Sequence, residues 1–336
     1  MINITTIPGD GIGKEVMNAS LYVLDYFELN FNYTEMPAGR ECFEKNGSTI
    51  PEDTIKQAKK SDATLFGAIT STPGQKSPIV TLRKELNVYG NLRPIKSFKG
   101  VKCLYDDVDF LIVRENTEGL YSQDEKVIEE DEKVIANKII TKKASKRICE
   151  LAFKQAVKEN RKSVVASHKA NVLKKTDGLF RDTFYEVAKE YPNIKTNDYY
   201  VDATSMFIVQ NPQMFDVIVA GNLYGDILSD EAAGLVGGLG LAPSGNIGDD
   251  NGLFEPVHGS APDIAGKNIS NPIAMLLSTS MMLKYLKYDY EGNLLEKACK
   301  EVLRKGNIKT PDLGGNNKTY EMADAVVCNL KELEGQ

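Results

Sequence analysis

Short β-prone apolar runs alternate with amphipathic helical segments along most of this chain, and that alternation restricts the fold more than any single motif. Residues 3–7, 31–36, 63–66, 110–114, 163–167 and 217–220 have the length and branched apolar content of buried strands. Between them, residues 14–27, 51–60, 145–159 and 173–189 repeat apolar side chains at helical spacing. Successive parallel strands need a crossover long enough to hold a helix, so this order predicts an α/β fold with a largely parallel sheet. Beyond residue 248 the pattern turns to loops and helices, with an apolar helix expected over 272–285. A chain of 336 residues implies two domains or one large α/β body.

Composition removes several function classes. The five cysteines (Cys42, Cys103, Cys149, Cys299, Cys328) are scattered and never form a CxxC pair. That fits a reduced cytosol and argues against a disulfide framework or a zinc site. The net charge of −6 gives nucleic acid no general attraction, although "KANVLKK" is a local basic patch. No apolar run approaches the ~18–20 residues that cross a bilayer. The first residues lack a basic stretch followed by an apolar core, so a cytoplasmic location is expected. With only His168 and His258 present, acid–base chemistry falls to lysine, tyrosine or carboxylates.

The segment "IPGDGIGKE", residues 7–15, follows the first strand and opens the first helix, as a dinucleotide-binding turn does. The fingerprint there is Gly-x-Gly-x-x-Gly. Here Gly9, Gly11 and Gly13 arrive as Gly-x-Gly-x-Gly, and Lys14 stands where the third glycine belongs. A tight strand-to-helix turn is the better reading. Residues 122–141, "SQDEKVIEEDEKVIANKIIT", break the alternation and read as a protruding hairpin around an acidic tip. Such a hairpin either packs on a partner or is a solvated surface turn.

Three arginines stand in separate motifs: Arg83 and Arg93 in "SPIVTLRKELNVYGNLRP", and Arg114 in "VRENTEGLY". The planar guanidinium fork suits carboxylates, so their convergence would suit a di- or tricarboxylic acid. In "LYGDILSDEAAG", Asp226 and Asp230 lie four apart, on one helix face, and could share Mg²⁺ or Mn²⁺. Acids at a helix start are also favoured by its dipole alone. Asp202, in "YYVDA", follows another strand and is a third candidate ligand. Lys169 follows a strand directly, at the carboxyl edge where α/β sheets bind ligands, and could serve as a base.

Together these segments resemble the β-decarboxylating dehydrogenases, the family of isocitrate, 3-isopropylmalate and homoisocitrate dehydrogenases. The resemblance runs from "GDGIGKE" through "VRENTEGLY", "HKANV" and "GDILSDEAAG" to "GLAPSGNIGD", "LFEPVHGSAPDIAGKNISNP" and "TPDLGGN". It implies an α/β, isopropylmalate-dehydrogenase-like two-domain fold that is not Rossmann. Residues 1–88 with 237–336 would form the cofactor-binding domain, and 89–236 the substrate, metal and dimerisation domain. The hairpin at about 122–141 would be an intersubunit arm, and the assembly a homodimer with shared active sites or a tetramer. Neither nucleic acid nor membrane would be a partner.

By matching position, the resemblance assigns Arg83, Arg93 and Arg114 to substrate carboxylates. It gives Asp226 and Asp230 to the metal, with Asp202 from the partner. Lys169, also from the partner, would assist removal of the hydroxyl proton, and Tyr121 would protonate the enol. Asn171 would stand beside substrate and nicotinamide. The cofactor loop "EPVHGSAPDIAGKNISN" would use Glu255, His258, Gly259, Ser260, Ala261, Asp263, Ile264 and Asn271. NADP-using relatives carry a lysine–tyrosine pair where this chain has Asp263 and Ile264, so NAD is expected.

Ser77, Ile79 and Val80 precede Arg83 and would read the group on substrate C3. Isocitrate dehydrogenases usually have a Ser-x-Asn pattern ending at the position of Ile79, which argues against isocitrate. The "SPIVTLRK" string most resembles homoisocitrate dehydrogenases, and "VKCLYDDVDFLIVRENTEGLYS" equally resembles archaeal isopropylmalate dehydrogenases. Homoisocitrate is therefore the expected substrate, with 3-isopropylmalate the alternative and isocitrate third. A non-catalytic regulatory subunit is disfavoured because Tyr121, Lys169, Asp202, Asp226 and Asp230 are all present.

Overall fold

A computed structural model describes residues 1–122, 124–128 and 132–335. The chain opens with β1 (Ile2–Gly9), α1 (Gly13–Asp25), β2 (Phe31–Glu35), α2 (Arg40–Asn46), α3 (Glu52–Lys60), β3 (Ala63–Ala68) and α4 (Pro78–Glu85). It continues through β4 (Gly90–Lys96), β5 (Asp109–Glu115), β6 (Glu125–Ile128), β7 (Lys133–Ala136), α5 (Lys142–Lys158) and β8 (Ser163–His168). Next come α6 (Thr176–Ala188), β9 (Lys195–Tyr200), α7 (Val201–Gln210), β10 (Val217–Ala220) and α8 (Asn222–Leu235). The remainder is β11 (Pro243–Ile247), β12 (Gly252–Pro256), α9 (Ile273–Tyr285), α10 (Asp289–Lys305) and α11 (Thr319–Glu334).

These elements form two compact units, one of Met1–Val88, Ser97–Asp106 and Val236–Gln336, the other of Tyr89–Lys96 and Asp107–Leu235. Ser97–Asp106 lies inside the 89–236 segment expected for the second domain, yet it groups with the first unit. Its Phe98 is buried in that unit's apolar cluster, Val101 packs against the same cluster, and the Gly100 carbonyl accepts from Lys309 Nζ at 3.2 Å.

In the first unit the strand order is β2-β1-β3-β12-β11, parallel except for the β11–β12 pair. α9 is buried without a break from Ile273 to Ser280, as a helix apolar on every side must be. Its three consecutive hydroxyl residues all find partners. Ser278 Oγ accepts from the Ser244 N–H at 3.2 Å, Thr279 Oγ1 bonds Ser20 Oγ at 2.5 Å, and Ser280 Oγ donates to the Gly292 carbonyl at 2.7 Å. Buried polar atoms satisfied in this way carry no desolvation penalty.

In the second unit the order is β4-β5-β10-β8-β9, with only β4–β5 antiparallel. α5 and α6 pack through Phe153, whose ring stacks on Phe184 at 5.5 Å and on Tyr191 at 4.9 Å. The β6–β7 ladder forms the expected hairpin, and all eight of its residues are exposed. Asp124 closes its base, accepting from the Asn137 backbone N–H and side-chain amide, both at 2.9 Å. Most of the acidic tip, residues 129–131, lies outside the described residues.

The α/β expectation holds, and all six expected strands and five expected helices form to within a few residues. Two readings need correction. β12 lies beyond residue 248, where only loops and helices were expected; Leu253 and Phe254 are too short a run to stand out beside Asp249, Asp250 and Asn251, and pairing with β3 and β11 makes them a strand. β2 is not a buried strand, because among the described residues it pairs with β1 alone and keeps Asn32 and Glu35 exposed. Phe153→Ala, which empties the fully buried stack, is expected to lower unfolding free energy by about 3–5 kcal/mol; urea denaturation followed by circular dichroism measures it.

Candidate active site

Arg114 enters the second unit's site at the end of β5 and is only 1% exposed. Its Nε and NH2 donate to Asn222 Oδ1 at 3.2 and 2.8 Å, and its NH1 donates to Asp226 Oδ1. α8 starts at Asn222, so Asn222, Asp226 and Asp230 fall on one helix face at successive turns. Gly225 lies in the same turn, and a Cβ there would sit 2.7 Å from Arg114 Cβ. Glycine thus lets the guanidinium pass close to the helix.

Arg93, on β4, reaches the same face. Its Nε donates to Asn91 Oδ1 at 2.7 Å, and its NH1 donates to Ser229 Oγ at 2.5 Å and to Asp230 Oδ1 at 3.1 Å. The same NH1 is 3.2 Å from Asp226 Oδ1. Tyr121 lies in the 3-10 turn Leu120–Ser122, donates its hydroxyl to Asp226 Oδ2 at 2.5 Å, and carries the Arg114 guanidinium 5.0 Å from its ring centre. Burial, and then the bond to Asp226, push the Tyr121 hydroxyl above its ordinary pKa, so it stays a phenol at neutral pH. Burial also raises the Asp230 carboxyl, against the pull of Arg93.

Lys169 and Asp202 form a separate pair, Nζ to Oδ1 at 2.5 Å, and that bond holds the Asp202 carboxyl below its usual range. The Lys169 N–H donates to Asp177 Oδ2 at 2.8 Å, while Asp177 Oδ1 accepts from Lys138 Nζ. Lys138 in turn lies 4.5 Å over the Tyr224 ring of α8. One buried carboxylate therefore ties the segment just after β7 to the turn that carries Lys169. Asn171 is exposed on that turn.

The first unit holds the other expected residues. Arg83 and Glu255 are both nearly buried and meet at 2.8 Å; Glu255 also accepts from Asn246 Nδ2 at 2.8 Å. Arg83 Nε has no partner among the described residues. A residue expected to hold cofactor thus directly grips one expected to hold substrate. Ser77 caps α4 through backbone alone, its carbonyl accepting from Thr81. Ile79 is half-buried against the apolar cluster around Leu82, and Val80 is half-buried beside it.

In the loop after β12, Ser260 Oγ bonds Thr70 Oγ1 at 2.6 Å, and Asn271 Nδ2 donates to Asp312 Oδ2 at 2.9 Å. Gly259 and Asp263 are exposed, Ala261 and Ile264 half-buried. His258 Nδ1 sits 3.0 Å from the Gly259 carbonyl, and its Nε2 is sealed from solvent without a partner among the described residues. Burial lowers its pKa, keeping the ring neutral.

These residues suit both groups the sequence implies. Asp226 and Asp230 offer hard oxygen donors one helical turn apart, the donor type a divalent cation such as Mg²⁺ takes. Among the described residues no three His, Cys, Asp or Glu side chains gather as a metal site. The orphaned His258 Nε2, and the open space where a Gly259 side chain would lie, fit a ligand resting on the loop. Asn222, Ser229, Asn91 and Asp177 escaped the sequence reading. The first two share the helical face of Asp226 and Asn91 the strand face of Arg93, so spacing alone could have found them. Asp177 read as an ordinary first-turn acid.

A family profile described as isocitrate/isopropylmalate dehydrogenase matches residues 3–326. The 3-isopropylmalate dehydrogenase of Methanothermobacter thermautotrophicus is 53% identical over 331 residues, covering 98% of this chain and 99% of that protein. The homoisocitrate dehydrogenase of Methanocaldococcus jannaschii is 49% identical, with both chains fully covered. The crystal structure of isocitrate dehydrogenase from Methylococcus capsulatus superposes with a TM-score of 0.95 at 44% identity, covering 98% of this chain and 100% of that one. No helix among the described residues is long and apolar enough to cross a membrane. With the arginine–aspartate–tyrosine cluster in its second unit and a family match over nearly its whole length, the chain belongs to the isocitrate/isopropylmalate dehydrogenase family of β-decarboxylating enzymes.

Proposed function

We propose that the chain catalyses NAD-dependent, divalent-metal-dependent oxidative decarboxylation of a 3-substituted malate, with 3-isopropylmalate the preferred substrate. The observation that carries this reading is the cluster in which Arg93, Arg114 and Tyr121 all meet Asp226. Cations for substrate carboxylates, hard donors for a metal and a protonated acid are what this reaction demands in one place.

Asp226 and Asp230 would hold the divalent cation, whose Lewis acidity would polarise the C2 oxygen, and residues 255–271 would hold the nicotinamide cofactor, which would supply the hydride acceptor for C2. Arg83, Arg93 and Arg114 hold the carboxylates and orient the bond from C3 to its carboxylate for cleavage, so that its electron pair passes into the C2–C3 enol. Lys169 of the partner subunit, ordered by Asp202, takes the hydroxyl proton. Tyr121 then donates its phenolic proton to C3, a role its raised pKa supports by keeping that proton in place. Asn171 of the partner subunit contacts substrate and nicotinamide, and Asp202 of the partner subunit completes the metal site. Two copies then share each site, and the exposed β6–β7 hairpin, with Val127 60% and Val134 57% exposed, is the arm that joins them.

Ile79 and Val80 form an apolar, half-buried surface on α4 that suits a branched alkyl group on C3. Relatives whose names include isopropylmalate, at 53%, 53% and 52% identity, stand slightly above those whose names include homoisocitrate, at 49% and 50%, and this favours isopropylmalate over the substrate expected from "SPIVTLRK" alone. Homoisocitrate is the second reading, favoured by Ser77 and the exposed Lys76 just before α4. Steady-state kcat/KM for 3-isopropylmalate, homoisocitrate and isocitrate with NAD and Mg²⁺ tests the order; a tenfold preference for homoisocitrate would reverse it.

Tyr121→Phe is expected to lower kcat by about 10²–10⁴-fold, the usual worth of a general acid, with little change in thermal midpoint. An activity within threefold of the parent would remove Tyr121 from the mechanism. Chelation should abolish turnover and Mg²⁺ or Mn²⁺ restore it. Asp263 can accept from both ribose hydroxyls and would repel a 2′-phosphate. Asp263→Lys with Ile264→Tyr should therefore shift the NAD/NADP ratio of kcat/KM toward NADP, and an unaltered ratio refutes that assignment.

A further inference from the structure

The "GDGIGKE" segment holds no fingerprint for a nucleotide, yet its side chains and backbone reach the loop proposed to carry one. Ile12 donates its N–H to the Ser260 carbonyl at 2.9 Å. Gly11, at φ +56°, comes so near that a Cβ would lie 2.2 Å from that same oxygen. Glu15, in the first turn of α1, does not cap its own helix. Its Oε1 accepts from the Gly266 N–H at 2.6 Å and the Asn268 N–H at 3.4 Å, and its Oε2 accepts from Ser270 Oγ at 2.9 Å.

The segment between these two anchors, residues 261–265, contains Asp263 and Ile264. It is built from turns in which the Ile264 N–H donates to the Ala261 carbonyl and the Lys267 N–H to the Ile264 carbonyl. Two non-glycine residues of the loop adopt left-handed backbone, Ala261 at φ +38° within this segment and Asn268 at φ +54° at its far anchor. Such conformations persist only where the surroundings over-determine them. A carboxylate accepting two backbone N–H groups and a hydroxyl is a restraint of that kind, and charge-assisted bonds are the stronger ones.

We infer that Glu15 is a positioning residue for cofactor: it touches no ligand but fixes the turn that presents Asp263. The dipole preference for an acid in a first helical turn would be met by any carboxylate pointing to solvent, and it does not explain three bonds to a loop more than 250 residues away. This inference rests on the reading of residues 255–271 as the cofactor loop.

The test compares Glu15→Ala, Glu15→Gln and Asp263→Ala in the full-length enzyme, measuring KM for NAD, KM for the hydroxyacid, kcat and thermal midpoint. Glu15→Ala should raise KM for NAD about tenfold, with KM for the hydroxyacid and kcat changing less than twofold. Glu15→Gln, which keeps one acceptor oxygen, should recover part of that loss. A lowered thermal midpoint with unaltered KM for NAD, while Asp263→Ala does weaken NAD, would overturn the inference and leave the cofactor loop standing. Indifference of KM for NAD to Asp263→Ala as well would remove the loop reading and the inference together. Should Glu15→Ala not fold, Glu15→Gln and Ser270→Ala carry the same comparison.

Discussion

A guanidinium taken almost wholly out of water has to be neutralised where it lies, and Arg114 is placed under that constraint by β5. Asn222 and Asp226 meet it from α8, which fixes the rotation of that helix and hence the face on which Asp230 and Ser229 appear. Arg93 then addresses the same face from β4, so two strands and one helix converge on a single carboxylate. Removing Asp226 would take a carboxylate away from the buried Arg114 guanidinium, so the arrangement resists loosening before any ligand arrives.

That stiffness has a chemical use. On the proposed reading, a divalent ion or an anionic substrate entering the cluster would replace one set of charge contacts with another and would not have to assemble them. The positive and negative groups already balance, two guanidiniums against two carboxylates. Burial and the bond to Asp226 keep Tyr121 a phenol, so the cluster holds a proton beside its charged groups.

Much of this was legible in the order of residues. Strands with branched apolar cores, such as residues 163–167 and 217–220, stood out because both faces are covered. The acids of "GDILSD" stood out because helical spacing places them together. β9, "KTNDYY", was legible only as a strand of undefined length ahead of Asp202, because it is polar and borders only β8 among the described strands, so pairing and not composition bounds it. Asp177 was missed for a related reason. Its partners, Lys138 and the Lys169 N–H, are 39 and 8 residues away, and no local pattern encodes a bond across that distance. Nor did sequence show Glu255 clasping Arg83, since the two lie 172 positions apart.

The hydroxyl triplet of α9 bears on how a greasy cylinder finds one pose. An all-apolar rod wedged among other apolar surfaces could rotate or slide by a turn at little cost, because oil has no handedness of contact. Ser278, Thr279 and Ser280 point in three directions and each meets a different neighbour, on β11, α1 and α10. They act as pegs that index the rod, and every wrong setting would leave oxygens without partners in a dry interior. Uniqueness in that half of the molecule is thus specified by its few polar atoms, while the hydrocarbon supplies the bulk of the cohesion.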